Sequence, residues 1–410
     1  MSVENRAAAP EFAGTELLLP AGDYEALRTA VYFGADAVYV GGPFMQLRAA
    51  SAGFDKETLR QSAEYCHSRG VKLYVTVNCF ANEDEIPKIG DYAKELYDLG
   101  ADAAIVSDPG AIFVMKNAEP GLPIHVSTQA NIQNSAAANV FYNMGASRVV
   151  LGREMTLDAV AALRRNTPPD LEIETFVHGA MCMAYSGRCL ISSFMNGRSG
   201  NRGECTQPCR WIYRVVEEKR PGQMFEAVEE SESTAFFSSH DLNCINFLDK
   251  IAAAGVTSFK VEGRMKSPYY VATVGNAYRR RMDGCRDLDL LNAELDRASH
   301  RPYSSGFYFG HEKYNPHNDG QYRSSGKFVA VVTGKLSGTE YAVQMRNRFA
   351  VGENLEILSP DSIGESLTVE AMRDTDGNPK DEAILPCENV IIRCEASLSP
   401  GDMLRRHLMT

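Results

Sequence analysis

The chain has 410 residues, of which 44% are hydrophobic and 23% charged, proportions typical of a folded globular protein with one large and one small domain. Its formal net charge of −11 argues against a surface coated with basic residues for nonspecific nucleic-acid binding, although one local basic face stays open. No segment approaches the roughly 20 consecutive apolar residues of a membrane-spanning helix. Residues 1–14 look like a disordered polar lead-in rather than a secretion signal, so we expect a soluble, cytoplasmic protein.

Short apolar segments alternate with helical patterns from residue 15 to about residue 300, which is typical of parallel β-α units. Eight of these segments are predicted strands: ELLLPAG (16–22), DAVYVGG (36–42), VKLYVTVN (71–78), DAAIVSD (102–108), IHVSTQ (124–129), SRVVLGRE (147–154), IETFVHG (173–179) and SFKVEGR (258–264). Eight such units favour a TIM-like (β/α)8 barrel over an open sheet. The stretch 233–242 is either a ninth strand or part of an insertion.

After residue 300 the pattern changes to five short strand-like segments separated by Gly, Asn and Asp-Gly turns. This pattern predicts a small antiparallel β-barrel domain at 321–410, joined to the first domain by a Gly- and aromatic-rich linker at 301–320. The predicted fold class is therefore α/β, with a TIM-like barrel at 15–300, a cysteine-rich insertion at 182–244, and a small C-terminal β-domain.

Functional side chains of a (β/α)8 barrel lie at the C-terminal ends of its strands. The predicted strand ends carry a dense set of polar residues: Asp108, Gln129, Arg153, Glu154, His178, Glu262 and Arg264. We take His178 and Glu262 as catalytic candidates. We take Lys260, Arg264 and Arg153 as candidates for binding a carboxylate, because ammonium and guanidinium groups pair with carboxylates. The alternative is that these residues form helix caps or a structural ion-pair network that closes the barrel.

Five of the ten cysteines follow the seventh predicted strand: Cys182, Cys189, Cys205, Cys209 and Cys244. Thiolates on a long loop at that end of a barrel suit an iron–sulfur cluster. Zinc is the nearest rival, but structural zinc sites typically contain two close cysteine pairs, and only Cys205 and Cys209 approach that spacing. Packing cysteines are a third alternative. A disulfide framework is not expected in the cytosol.

The same loop is locally basic, with seven Arg or Lys residues and three Glu residues between Cys182 and Arg220. The surplus could offset the charge of a thiolate-bound cluster, contact RNA phosphates, or form a solvated surface. All three explanations stay open at this stage, and Arg198, Arg202 and Arg210 are the residues that would separate them.

Three segments closely resemble a known family: VHGAMCMAYSGRC (177–189), SFMNGRSGNRGECTQPCRW (193–211) and SFKVEGRMKSPYYVATV (258–274). The resemblance is to the collagenase-like peptidase family of unknown catalytic type, number 32, and it continues to PGDMLRR (400–406), over nearly the whole chain. It implies a barrel with a cysteine-bound [4Fe–4S] cluster. In several members it also implies oxygen-independent hydroxylation of RNA bases or of ubiquinone precursors rather than proteolysis.

The family's four-cysteine pattern falls on Cys182, Cys189, Cys205 and Cys244 of this sequence, with Cys209 as an alternative ligand. A barrel followed by one small β-domain is most similar to the prephenate-dependent tRNA uridine hydroxylation proteins. This similarity implies formation of 5-hydroxyuridine at the wobble position of the tRNA anticodon loop, with prephenate as a small carboxylate donor. The family's arginine- and phenylalanine-containing stretch matches residues 41–54 loosely and adds Arg48 to the substrate-binding candidates.

Two other functions are weighed beside hydroxylation. One is a collagenase-like peptidase, and the other is a non-enzymatic RNA-binding adaptor in which the cluster is a structural element. The chain contains neither an H-E-x-x-H nor a G-x-S-x-G motif, although His178 lies four residues before Cys182. The sequence therefore supports a peptidase less well than a hydroxylase.

Overall fold

The computed structural model describes residues 8–47, 53–182, 184–211, 240–310 and 322–408. The strands of its first unit are β1 (Glu16–Pro20), β2 (Ala37–Gly41), β3 (Lys72–Val77), β4 (Ala103–Val106), β5 (Ile124–Val126), β6 (Arg148–Val150), β7 (Glu172–Ala180), β8 (Asp241–Asn243), β9 (Ser258–Val261) and β10 (Tyr303–Ser304). The helices are α1 (Tyr24–Tyr32), α2 (Lys56–His67), α3 (Ile86–Asp98), α4 (Pro109–Ala118), α5 (Ser135–Asn143), α6 (Leu157–Arg165), α7 (Ile191–Asn196), α8 (Leu248–Ala253), α9 (Pro268–Met282) and α10 (Leu288–Leu295). Within these ranges, every helix is too short or too polar to cross a lipid bilayer.

Eight parallel strands close into a barrel. β1 to β7 pair in sequence order, and β9 pairs with β1 on one side and with β7 on the other. These are the eight predicted strands, so the TIM-like barrel is confirmed. β8 lies outside the closure, because it pairs antiparallel with the end of β7, from His178 to Ala180. Residues 241 and 242 of the ambiguous stretch thus belong to an extra strand, and residues 233–239 lie outside the described ranges.

The strands are buried on both faces and are mostly apolar, as is usual for a helix-covered parallel sheet. Successive side chains point to opposite faces. Leu18, Tyr39 and Tyr74 point inward and pack together in the barrel. Their neighbours, such as Leu17 and Leu19, belong to the large core between the strands and the surrounding helices.

A buried ion network fills part of the barrel interior. Arg148 Nη1 lies 2.6 Å from Glu16 Oε1 and 3.0 Å from Glu174 Oε2, and Lys260 Nζ lies 2.6 Å from Glu174 Oε1. Burial raises the pKa of Glu16, but the Arg148 guanidinium and a hydrogen bond from the Tyr74 hydroxyl hold that pKa below its ordinary value. Each buried charge therefore has a partner of opposite sign, without which its burial would be very costly.

The N-terminal boundary differs from the expected lead-in at 1–14. A 3-10 helix at Pro10–Phe12 buries the Phe12 ring completely, 6.1 Å from the ring of Phe259. The Ala9 amide donates a hydrogen bond to the Met282 carbonyl (2.8 Å). Residues 9–12 thus pack against the barrel, because the aromatic side chain of Phe12 is buried in an apolar site there.

The predicted linker at 301–320 also begins inside the first unit. Arg301 forms a buried ion pair with Asp241 (2.6 Å), and β10 pairs with β8. Residues 311–320 of the linker lie outside the described ranges.

The second unit is an antiparallel sheet that forms a half-barrel. Its strands are β11 (Gly326–Ser337), β12 (Glu340–Met345), β13 (Phe349–Ala350), β14 (Asn354–Leu358), β15 (Ser366–Thr368), β16 (Ala371–Arg373), β17 (Glu382–Ala383), β18 (Asn389–Arg393) and β19 (Met403–His407). The strand order of the sheet is β15-β14-β19-β11-β12-β18-β16, and β13 and β17 form a separate pair. This confirms the predicted small β-domain, with β15 and β16 as the edges of its sheet.

The β-domain packs firmly against the barrel's helices. The rings of Tyr269 and Phe328 stack with their centroids 5.3 Å apart. Arg405 donates two hydrogen bonds to Glu294 (2.8 and 2.6 Å), and both side chains are buried. The two units therefore share an apolar and ionic interface.

We expect Arg405→Leu to lower the free energy of unfolding by about 3–5 kcal/mol, because Glu294 would keep a buried charge without its partner. Chemical unfolding followed by circular dichroism measures the change. The matched control is Arg393→Leu, which breaks a half-exposed pair with Glu370 and should stay within about 1 kcal/mol of the wild type. Equal stability of the two variants would show that the interface pair is energetically neutral.

Candidate functional site

A cavity opens at the C-terminal end of the barrel strands, beneath the cysteine loop, which we define as residues 181–211. The cavity has a volume of about 150 Å³. Its floor consists of side chains from the barrel interior: Tyr39, Thr76, Ile105, Phe176 and Lys260. The cavity thus lies at the end of the barrel where such folds hold their substrates.

Four cysteines of the loop line this cavity: Cys182, Cys189, Cys205 and Cys209. Burial raises the pKa of the Cys209 thiol, the Arg210 guanidinium lowers it, and negative charge on the other three thiols raises it. The four sulfur atoms therefore lie within electrostatic reach of one another. The structure brings Cys209, the alternative ligand, together with three of the predicted ones.

Cys244 lies elsewhere, in the hydrophobic core. It follows β8, its side chain is completely buried, and it is absent from the residues that line the cavity. Its backbone amide donates to the Val177 carbonyl (3.0 Å), and burial raises the pKa of its thiol well above the ordinary value. The structure thus separates Cys244 from the other predicted ligands, and we carry Cys209 forward in its place as a proposed ligand.

Ionic and backbone contacts fasten the cysteine loop to the barrel. Arg202 donates to both carboxylate oxygens of Glu85 (2.8 and 2.7 Å) and to the Phe80 carbonyl (2.7 Å). Gly187 has a φ of +72°, and a Cβ atom there would lie 2.0 Å from the Gln129 carbonyl oxygen, so only glycine allows this close approach. Of the three arginines that sequence reasoning considered for phosphate or cluster contacts, Arg202 is thus an anchor of the loop.

The four thiols match the ligand number of two kinds of metal site. A structural zinc ion takes four ligands in a tetrahedron. In a [4Fe–4S] cluster four thiolates each bind a different iron atom. Among the described residues, no group of three His, Cys, Asp or Glu side chains is close enough to hold a single ion.

Three of the predicted substrate-binding cations line the cavity. Lys260 pairs with Glu174 at the floor. Arg264 donates to Thr76 (2.7 Å) and Gln46 (3.2 Å). Both cations are buried.

The third cation, Arg153, pairs with the catalytic candidate Glu262 (3.1 Å), which also lines the cavity, and its guanidinium lies 3.7 Å from the centroid of Phe176. It also donates to the Ala180 carbonyl. Lys260, Arg153 and Glu262 therefore form ion pairs and also line the cavity. The last cation candidate, Arg48, lies outside the described residues.

His178, the other catalytic candidate, does not reach the cavity. Its ring is buried among the rings of Tyr270, Tyr278 and Tyr303, with centroid distances of 6.1, 5.4 and 5.4 Å. Burial lowers its pKa to about 3. His178 therefore lies in the core, because the end of β7 turns it away from the cavity and against α9, and we do not carry it forward as a catalytic candidate.

Residues 22–318 match the family "Peptidase family U32", and residues 324–405 match "Peptidase family U32 C-terminal domain". The chain belongs to peptidase family U32. Similar relatives include "tRNA hydroxylation protein P" of Escherichia coli (strain K12), 36% identical over 88% of this chain and 90% of the relative. "tRNA hydroxylation protein P1" of Bacillus subtilis (strain 168) is 35% identical over 95% and 94%. A "Collagenase" of Porphyromonas gingivalis is 36% identical over 72% and 73%.

Several cavity residues of this U32 chain were missed by sequence reasoning. Tyr39, Thr76, Asn78 and Ser127 line the cavity, yet they lie within or just after strands that read as apolar. A polar residue within an apolar strand, such as Thr76 in KLYVTV, is the signal that could have identified an inward-facing position.

We expect His178→Phe to make the U32 chain less sensitive to acid. The folded pKa of His178 is about 3, compared with an ordinary value of 6.5, so the unfolded state gains a proton that the folded state does not. The neutral histidine contributes its full stabilisation when the pH is above the pKa of His178 in the unfolded state. This stabilisation is lost as the pH falls toward the pKa of His178 in the folded state.

As the pH falls from about 7.5 to about 4.5, the free energy of unfolding should therefore decrease less in the variant than in the wild type. A difference that stays constant over that range would mean that His178 takes up a proton equally well in the folded protein.

Proposed function

We propose that this protein is an RNA-modifying enzyme that hydroxylates the wobble uridine of tRNA to 5-hydroxyuridine. The observation that supports this most strongly is that four loop cysteines and the buried cations Lys260 and Arg264 line one cavity. The names of the Escherichia coli and Bacillus subtilis relatives support tRNA as the substrate class.

The ligands that we propose for a [4Fe–4S] cluster are Cys182, Cys189, Cys205 and Cys209. When bound, such a cluster would supply electron-transfer or Lewis-acid chemistry at the mouth of the barrel. The protein's part is to hold the loop in place, which the Arg202–Glu85 pair and the close approach at Gly187 do. Arg210, beside Cys209 at the cavity wall, adds a positive charge close to the thiolates.

The floor of the cavity suits a small carboxylate donor, for which prephenate is the candidate. Arg264 and Lys260 place positive charge at the inner end of the cavity, and charge-assisted hydrogen bonds to a carboxylate are stronger than neutral ones. Replacing the C5 hydrogen of uridine with a hydroxyl group is a two-electron oxidation. The donor must therefore accept two electrons as it gives up its oxygen.

The lining of the cavity suits an extruded base. Ile105 and Phe176 supply apolar surface for the faces of a pyrimidine, and Gln129 and Asn78 supply hydrogen-bonding groups for its edge. Bases of a single-stranded anticodon loop cost little to turn outward. The uridine and the donor would then meet between the barrel floor and the cysteine loop.

Proteolysis is the second candidate function, favoured by the name of the Porphyromonas gingivalis relative. Its support from the geometry is weaker. No histidine is found among the described residues that line the cavity, and His178 is enclosed in the core. A cysteine peptidase needs a base within hydrogen-bond reach of its nucleophile. Incubation of the purified protein with collagen peptides tests this candidate.

We expect Cys209→Ala to lose most of the iron from anaerobically purified protein, while Cys244→Ala keeps about four iron atoms per chain. The reason is that Cys209 lines the cavity, whereas Cys244 is buried in the core. Iron and acid-labile sulfide analysis measures both. Loss of iron in Cys244→Ala with retention in Cys209→Ala would restore the ligand set implied by the resemblance, and stoichiometric zinc in the wild type would contradict a cluster.

We expect Arg264→Gln to lower 5-hydroxyuridine in tRNA by roughly tenfold or more, because a hydrogen bond to a charged partner contributes about 1.5–3 kcal/mol. Mass spectrometry of tRNA nucleosides from cells that contain only the variant measures this. Arg286→Gln is the control, since its guanidinium is exposed and pairs with Glu11 far from the cavity. Retained iron in both variants confirms an intact loop. Unchanged hydroxyuridine in Arg264→Gln would remove this residue from the donor site.

A further inference from the structure

Large apolar side chains are exposed around the mouth of the cavity. We call them the exposed rim: Tyr185, Leu190, Phe194, Met195, Trp211 and Tyr322. Phe194 is 92% exposed, the highest value among the large hydrophobic residues of the described ranges. Exposed apolar residues scattered singly need no explanation, but a group of them at one place indicates an interaction site.

The rim belongs to the cavity by position. Tyr185 lines the cavity directly, Leu190 lies between the lining residues Cys189 and Ile191, and Trp211 follows the lining residue Arg210. Tyr322, from the start of the β-domain, accepts a hydrogen bond from Arg210 (3.5 Å). Tyr185, Leu190, Trp211 and Tyr322 thus lie on or next to the lining of the cavity.

The rim is held by a fixed framework rather than by a loose segment. Helix α7 carries Phe194 and Met195 on its outer side, while Ser192 on its inner side is buried. The Thr206 amide donates to the Ser192 hydroxyl (3.1 Å), and the Asn196 amide group donates to the Thr206 hydroxyl (2.7 Å). The Phe194 ring is thus presented to solvent by a helix tied to the segment next to Cys205.

Charge at the rim favours a polyanion over an apolar protein surface. Arg188 and Arg198 are exposed on the cysteine loop, and no described residue forms an ion pair with either. Glu204 is the sole acid within residues 181–211. Lys266 adds an ammonium group 4.8 Å from the ring centroid of Tyr322. Planar rings and cations on one surface are the combination that binds single-stranded nucleic acids, with bases on the rings and phosphates on the cations.

We infer that the exposed rim is a stacking platform for the unpaired nucleotides that flank the target uridine, with Phe194 as its main stacking residue. This inference rests on the proposed function, because it names the contacts by which the same site would hold an RNA loop. A platform of this kind selects single strands over duplexes, since the bases of a duplex have no free faces.

Binding of a dye-labelled anticodon stem-loop oligoribonucleotide to the full-length, iron-loaded protein tests the platform. Phe194→Ala should weaken binding by roughly 5- to 150-fold, the range for loss of one stacked base. Phe194→Trp should bind like the wild type, and Phe194→Leu should be as weak as Phe194→Ala, because leucine is apolar but has no planar face. The matched control is Phe113→Ala, another exposed phenylalanine, on α4, which should not change binding.

The single tryptophan of the chain gives a local readout. Because Trp211 belongs to the rim and no other tryptophan is present, its fluorescence should be quenched by the stem-loop and much less by a fully paired duplex of the same length. Arg198→Gln should also flatten the salt dependence of binding, by roughly 0.7 in the log–log slope for one lost single-strand phosphate contact.

The outcomes separate this inference from the proposed function. If Phe194→Ala binds within about twofold of the wild type while tRNA is still hydroxylated, the stacking platform is wrong and the proposed function stands. If Phe194→Leu binds like the wild type, the rim is an apolar docking surface and not a stacking platform. If the wild-type protein neither binds the stem-loop nor forms hydroxyuridine, both are overturned.

Discussion

The pairing of buried charges inside the barrel is the constraint on which the site depends. Glu174 accepts from Arg148 on one side and from Lys260 on the other, and Arg148 also holds Glu16. Removal of Glu174 would leave Lys260 without its partner, and removal of Arg148 would do the same to Glu16, so the network ties together strands that are far apart in sequence. Lys260, which belongs to this network, also forms part of the cavity floor. The same interactions that close the barrel thus place a cation where a substrate can reach it.

The cysteine loop completes the cavity from the other side. It has little regular structure, so its position depends on a few strong contacts with the barrel, of which the pairing of Arg202 with Glu85 and the fit of Gly187 against Gln129 are the clearest. These contacts explain how a loop can present four thiols to one cavity while it also exposes aromatic side chains to solvent. The proposed cofactor site and the proposed RNA contact surface are then two faces of one element.

The barrel could be predicted from the sequence because its signals are local: each strand is a short apolar segment followed by a helical pattern. The same holds for the cations Lys260 and Arg264, which are polar residues at predicted strand ends. Cys244 and His178 could not be placed in this way. Both belong to the extension of β7 and its antiparallel partner β8, a feature with no sequence periodicity of its own. That pairing turns His178 and Cys244 into the core and leaves Cys209 at the cavity.

The central claim is that the target base and the thiolate-bound cofactor share the cavity at the end of the barrel. Magnetic resonance on the reduced, iron-loaded protein tests this directly, with a stem-loop RNA that carries deuterium at C5 of the wobble uridine and no oxygen donor present. A deuterium coupling to the electron spin of the cluster, lost on addition of excess unlabelled RNA, is the result that we predict. Saturated RNA binding without such a coupling would mean that the base binds elsewhere, and would contradict a shared cavity.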